Sequence, residues 1–224
     1  KWGTKLYGKI SNTNLSILDV QSGTSDITSP TNMFAGRVSQ NIFDESKVGI
    51  IVTNGSQSGE QNTLAGADFK YKTSRFMGSN NFSVDLWGVQ NWNEKKGGNK
   101  NGYGLKIDYP NDLIDAAITY NFMGDSLEPG LGFLPRKGYH SLYTSCSYMP
   151  RPEKGWFGDL VRQWFFELQM TNYWNLDGKL ESRQIFTAPV NFRTESGEHI
   201  EFNIIPNREV LPADFEVAEG VVIP

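Results

Sequence analysis

The stretch GYGLKIDYPNDLIDAAITYNF, residues 102–122, carries an apolar side chain at every second position on either side of a short Pro-Asn-Asp turn. One set is Tyr103, Leu105, Ile107 and Tyr109, then Ile114, Ala116, Ile118, Tyr120 and Phe122. The other is Gly102, Gly104, Lys106 and Asp108, then Asp115, Ala117, Thr119 and Asn121. Successive side chains of a strand point to opposite faces. The pattern therefore predicts an antiparallel hairpin, 102–109 with 113–122, that has one apolar and one polar face. Such a hairpin must lay its apolar face against a protein core or against lipid, and that choice bounds every fold the chain can adopt.

The same two-residue period runs through most of the sequence, and helical stripes are scarce. It predicts strands near 4–10, 14–21, 32–40, 47–54, 62–72, 81–91, 102–109, 113–122, 139–149, 161–173, 179–193 and 198–205. Turn-forming clusters separate them: NGSQSGEQN at 54–62, KKGGNKN at 95–101, NLDG at 175–178 and ESGE at 195–198. A short helix is expected only around 212–219. Nothing reads as a linker, so 1–224 is expected to be a single all-β domain. The chain opens inside a strand-like pattern, TKLYGKI, and stops at VVIP, so a segment truncated at both ends is expected.

Several predicted strands reach the roughly 9–11 residues that cross a bilayer, longer than the roughly 5–6 common in soluble sheets. In RQWFFELQMTNYW, Trp164, Phe166, Leu168 and Met170 share one face, and Gln163, Phe165, Glu167, Gln169 and Thr171 share the other. A sandwich strand shows the same alternation, so each strand taken alone fits either environment. The connections favour a membrane. Longer or more polar loops follow the strands ending near 54, 91, 122 and 205, and shorter links follow those near 40, 72 and 109, the rhythm of an outer-membrane barrel. The segment 150–160 and the NLDG turn break that rhythm. In the opening hairpin aromatic residues stand at the strand ends and aliphatic ones between them, as in the interfacial girdles of such barrels.

The fold expected is an antiparallel up-and-down transmembrane β-barrel, with about 12 strands of a larger barrel in this chain. Asp68, Lys70, Asp85, Lys106, Asp108, Asp115 and Glu167 are then lumen-facing, their charges able to pair across strands. Ile107, Ile118 and Leu168 point to lipid, and Thr119 and Gln169 to the lumen. The soluble alternative is a β-sandwich carbohydrate-binding module, in which the polar face is simply wet.

Chemistry is sparse. A net charge of -4 without a basic stripe argues against nucleic acid as a partner. The single Cys146 leaves no intrachain disulfide. The two histidines, His140 and His199, lie in no catalytic motif, and no G-x-S-x-G occurs. Neither zinc-ligand spacing nor a nucleotide-binding glycine motif is present, so no catalytic residue, metal ligand or cofactor is assigned. Glycoside hydrolysis needs only two carboxylates at the right separation, and 25 acidic residues offer pairs by chance. Trp87, Trp92 and Trp156 are the candidate platforms for stacking a sugar ring.

Three stretches together resemble a known family. They are GTKLYGKISNTNLSILDVQSG (3–23) with SPTNMFAGRVSQNI (29–42); GADFKYK (66–72); and GDSLEPGLGFLPRKGYHSLY (124–143), followed by LDGKLESRQI. The resemblance is to the C-terminal β-barrel domain of unknown function that follows a carbohydrate-binding family 9-like domain in secreted proteins of Gram-negative bacteria. It covers nearly the whole chain. It implies a bacterial outer-membrane location, lipid and polysaccharide or oligosaccharide as partners, and a non-enzymatic role in glycan binding or handling. Some members are labelled membrane-associated hydrolases, the alternative activity, but no motif for it is found in this chain. The family-like positions are Pro129, Gly132, Phe133, Arg136 and Tyr139. Pro129 and the glycines are expected to shape a tight loop, Phe133 to plug inward, and Arg136, the remaining ligand-binding candidate, to meet Asp125 or Glu128.

Overall fold

The computed structural model describes residues 1–24, 30–94, 97–153, 156–210, 215–218 and 221–223. Strands dominate: β1 (Trp2–Ile10), β2 (Thr13–Gln21), β3 (Asn32–Ile42), β4 (Ser46–Asn54), β5 (Asn62–Phe76), β6 (Asn80–Asn93), β7 (Asn101–Pro110), β8 (Ile114–Met123), β9 (Tyr139–Tyr148), β10 (Val161–Asn175), β11 (Leu180–Thr194) and β12 (His199–Ile200). Three shorter strands follow, β13 (Asn207–Glu209), β14 (Phe215–Ala218) and β15 (Val221–Ile223), and one short helix, α1 (Trp156–Leu160), precedes β10.

The first twelve strands are neighbours in chain order in one antiparallel up-and-down sheet, and β13 pairs with β11. The twelve strands do not close on one another into a barrel, so what is shown of the expected fold is the antiparallel up-and-down sheet. Among the described residues β1 pairs only with β2. The strand predicted at 198–205 is reduced to His199–Ile200, a bridge between Thr187 and Ile204, and then β13. The side chain of Asn191 occupies the gap, donating to Asn203 Oδ1 at 2.9 Å and accepting from the Phe202 amide at 2.7 Å. Neither Pro189 nor Pro206 has an N–H to give a ladder. Of the helix expected near 212–219, residues 212–214 and 219 lie outside the described residues, and Phe215–Ala218 is instead strand β14, paired with β15.

Internal contacts divide the chain into two compact units, Lys1–Ile107 with Asn121–Tyr139, and Asp108–Tyr120 with His140–Pro224. In the first unit the strand register sorts side chains cleanly. Val38, Ile50 and Ala67 form one cross-strand row, and Val48, Phe69 and Leu86 another, all on the same face. Gly49, Asp68 and Trp87 form a row on the opposite face, with Lys70 opposite Asp85 beside it. β6 shows the alternation best. Phe82, Val84, Leu86, Gly88, Gln90 and Trp92 lie on the first face, and Ser83, Asp85, Trp87 and Asn91 on the second.

Burial is inverted relative to a soluble domain. Among the described residues Val48, Ile50, Val52, Leu86, Ile118 and Leu168 are exposed, whereas Asn62, Ser83, Asn91, Asn172 and Asn191 are buried. In the opening hairpin Ile107 is 37% and Ile118 49% exposed, whereas Phe122 of the same alternating set is buried.

The second unit is built on the β10–β11 pair. Phe165 faces Asn191 and Glu167 faces Ala188, so Pro189 and Val190 together oppose Phe166 in a bulge. Trp164 packs on Phe166 and Phe192 at 5.9 and 5.0 Å between ring centroids, and Tyr148 stacks on Phe166 at 6.2 Å.

Candidate functional site

Two regions of the first unit gather polar chemistry: the face carrying Asp68, and the loops at one end of its strands. On the face, the Arg37 guanidinium spans the Asp68 carboxylate at 2.7 and 2.9 Å, crossing the backbone of Gly49. A Cβ on Gly49 would stand 2.7 Å from Arg37 Nη2 and 2.9 Å from Asp68 Oδ2, so only glycine leaves the bridge room. Lys70 pairs with Asp85 at 3.0 Å on the same face. These are the cross-strand ion pairs that alternating charges predict. Lys106 is half-buried on β7; in the second unit Asp108, Asp115 and Glu167 are half-buried too, and Glu167 lies opposite the fully buried Ala188.

The candidate sugar platforms are not gathered at one site. Trp87 lies on the charged face, its indole flat over Gly104, whose missing Cβ would approach the ring nitrogen to 2.4 Å. Trp92 lies on the opposite, apolar face at the strand end and is 54% exposed. Trp156 begins α1, and its side chain is outside the described residues. Arg136 sits with its guanidinium 5.6 Å from the Tyr139 ring centroid, and Glu128 is bridged by Lys137 at 3.0 Å.

At the loop end, residues 124–138 fold back and are pinned by three asparagines. Asn62 Nδ2 donates to the Glu128 carbonyl at 2.7 Å. The fully buried Asn91 donates to Asn62 Oδ1 at 2.8 Å and to the Thr63 carbonyl at 2.9 Å, while its own Oδ1 accepts from the Glu128 amide at 3.1 Å. Asn93 Nδ2 donates to Asn91 Oδ1 at 2.7 Å and to the Ser126 carbonyl at 3.1 Å. A buried amide must find partners for its donors and its acceptor, and Asn91 finds them in the Asn62 side chain, the Thr63 carbonyl and the Glu128 amide of the loop. Leu127 is buried beneath this loop.

Between loops 55–61 and 128–137 the pinned loop leaves a cleft of about 640 Å³. Phe133 stands at its rim 88% exposed, which corrects the inward plug expected from the sequence. The sequence does not single out Glu60 or Asn62 as site residues. The available signal was that breaker-rich stretches 54–62 and 124–138 follow strands running in the same direction and so reach the same sheet end.

Elsewhere, the Tyr120 hydroxyl and His140 Nδ1 are hydrogen-bonded at 2.6 Å, in the second unit. In the turn after β11 the Ser196 and Thr194 hydroxyls donate to the Glu198 carboxylate and hold its pKa down at about 2, against an ordinary 4.5. Among the described residues no group of three or more His, Cys, Asp or Glu is placed to hold a metal, and no helix is long and apolar enough to cross a membrane. Comparison with known proteins gave no matching family model, no matching curated protein and no matching solved structure.

Proposed function

We propose that this chain is part of the wall of a bacterial outer-membrane β-barrel, a non-enzymatic protein that binds or handles surface glycans. The observation that carries the membrane reading is the inverted burial: an exposed apolar face on β4–β6, backed by a face of buried amides and paired charges. In water such a surface costs about 25 cal/mol for each Å² of apolar area left wet, and lipid removes that cost.

The dimensions agree. On the apolar face of β6, aromatic Phe82 and Trp92 bracket Val84, Leu86, Gly88 and Gln90. From Phe82 to Trp92 is about 33 Å along the strand at about 3.3 Å per residue. A tilt of about 40° reduces that to about 25 Å, the height of a barrel's apolar band. Loop rhythm supports the same reading. The connections 11–12, 43–45, 77–79 and 111–113 are short, and those at 22–31, 55–61, 94–100 and 124–138 are long. The glycan role rests on the family resemblance.

The test is partition. The purified chain is expected to require detergent, to fold into phosphatidylcholine vesicles, and to resist carbonate extraction from them. A monodisperse monomer free of detergent would overturn the membrane reading.

A further inference from the structure

The cleft between loops 55–61 and 128–137 lies within the roughly 300–1,000 Å³ typical of ligand sites. Its walls are set without a ligand. Asn62 and the buried Asn91 hold the backbone of Glu128, and Ser56 Oγ donates to the Glu60 carbonyl at 2.9 Å, closing the 56–60 turn. Gly130 seals the contact between the loops: a Cβ there would lie 2.3 Å from the Gly55 carbonyl oxygen. A site fixed in this way loses little conformational entropy on binding.

Four side chains bring distinct chemistry to the cleft. Phe133 offers a ring with almost no protein against it. Across the cleft the exposed Glu60 carboxylate has no side-chain partner among the described residues. Glu128 and Lys137 neutralise each other at 3.0 Å. An open aromatic ring sharing a cleft with a carboxylate that has no side-chain partner among the described residues matches a pyranose, which presents an apolar C–H face and vicinal hydroxyl donors. The residual charge is negative and disfavours an anionic ligand.

We infer that this cleft binds a neutral pyranose unit of a glycan, with Phe133 stacking on the ring and Glu60 accepting hydrogen bonds from adjacent hydroxyls. The inference rests on the glycan-handling reading above and gives it a site. No covalent step is involved.

The experiment titrates the whole chain, in vesicles and in detergent micelles, with xylohexaose, cellohexaose, maltohexaose, mannohexaose and hexagalacturonic acid, followed by calorimetry. At least one neutral hexaose is expected to bind, and Phe133→Ala and Glu60→Gln are each expected to weaken it about tenfold or more. Both side chains are exposed, so folding should be unaffected and is checked by circular dichroism. The inference is overturned if the folded protein binds no neutral hexaose, if it prefers hexagalacturonic acid, or if neither substitution changes the affinity. Vesicle insertion is scored on the same samples. Failed insertion with sugar binding intact in micelles counts against the barrel alone, and insertion without sugar binding counts against the cleft alone.

Discussion

Gly104 shows how much of the charged face depends on an absent side chain. The Trp87 indole and the Asn121 amide both occupy the space its Cβ would take, at 2.4 and 2.6 Å. Gly104→Ala must displace one of them. Forcing a methyl into a filled site typically costs about 1–3 kcal/mol. Gly8→Ala is the control, because nothing lies within 4 Å of that position. Denaturant titration should find the loss only for Gly104→Ala, together with a shift in tryptophan emission. Equal stability of the two variants would mean that the indole does not lie over Gly104. Glu198 gives a second prediction at this scale. Its folded pKa, about 2, lies below the ordinary 4.5, so the hydroxyl bonds of the 194–198 turn stabilise the fold fully above about pH 4.5. That contribution fades as pH falls and is gone once pH passes through about 2. The Glu198 side-chain carboxyl resonance should titrate near 2, and in Ser196→Ala its midpoint should rise toward 4.5. A wild-type midpoint at the ordinary value would remove the hydroxyl bonds from the account.

Among the elements, the strands were legible because the physics that makes them is periodic. Alternation locates β1–β11 to within a few residues of where they lie, and it also sorts Asp68, Lys70 and Asp85 onto one face. It failed where periodicity has no hold. The segment after β11 keeps an alternating composition through Ile200, Phe202 and Ile204, yet prolines and the Asn191 amide interrupt its ladder. Phe133 lies in a loop, where no period gives a side chain its direction, so glycine and proline could predict a turn there but not which way the ring points. The two faces make an unequal prediction. Arginine at Ile118 or Leu168, which are 49% and 53% exposed, should destabilise the vesicle-inserted protein by about 2–4 kcal/mol near the bilayer midplane. Arginine at half-buried Thr119 or Gln169 should cost much less. The measurement is folding free energy in vesicles. Equal costs on both faces would mean that neither meets hydrocarbon.

For the whole molecule, the decisive feature is an open sheet with an apolar face. β1 is regular over Trp2–Ile10, pairs with β2 along its full length, and is exposed throughout. It carries no proline and no bulge, and Lys5 and Lys9 are its only charged side chains. Every second backbone group of β1 turns away from β2 with no described strand to receive it. In water these groups are solvated. In a bilayer each one left unpaired costs several kcal/mol, so a sheet that enters lipid must give its edge a partner strand. Hydrogen exchange can read this directly. In detergent micelles, alternate amides of β1 should exchange quickly while those bonded to β2 are protected. After insertion into vesicles the alternation should vanish, and all the amides from Gly3 to Lys9 should be protected. If alternate β1 amides still exchange freely in the inserted protein, β1 remains an open edge in contact with water, and the sheet does not form part of a closed transmembrane wall.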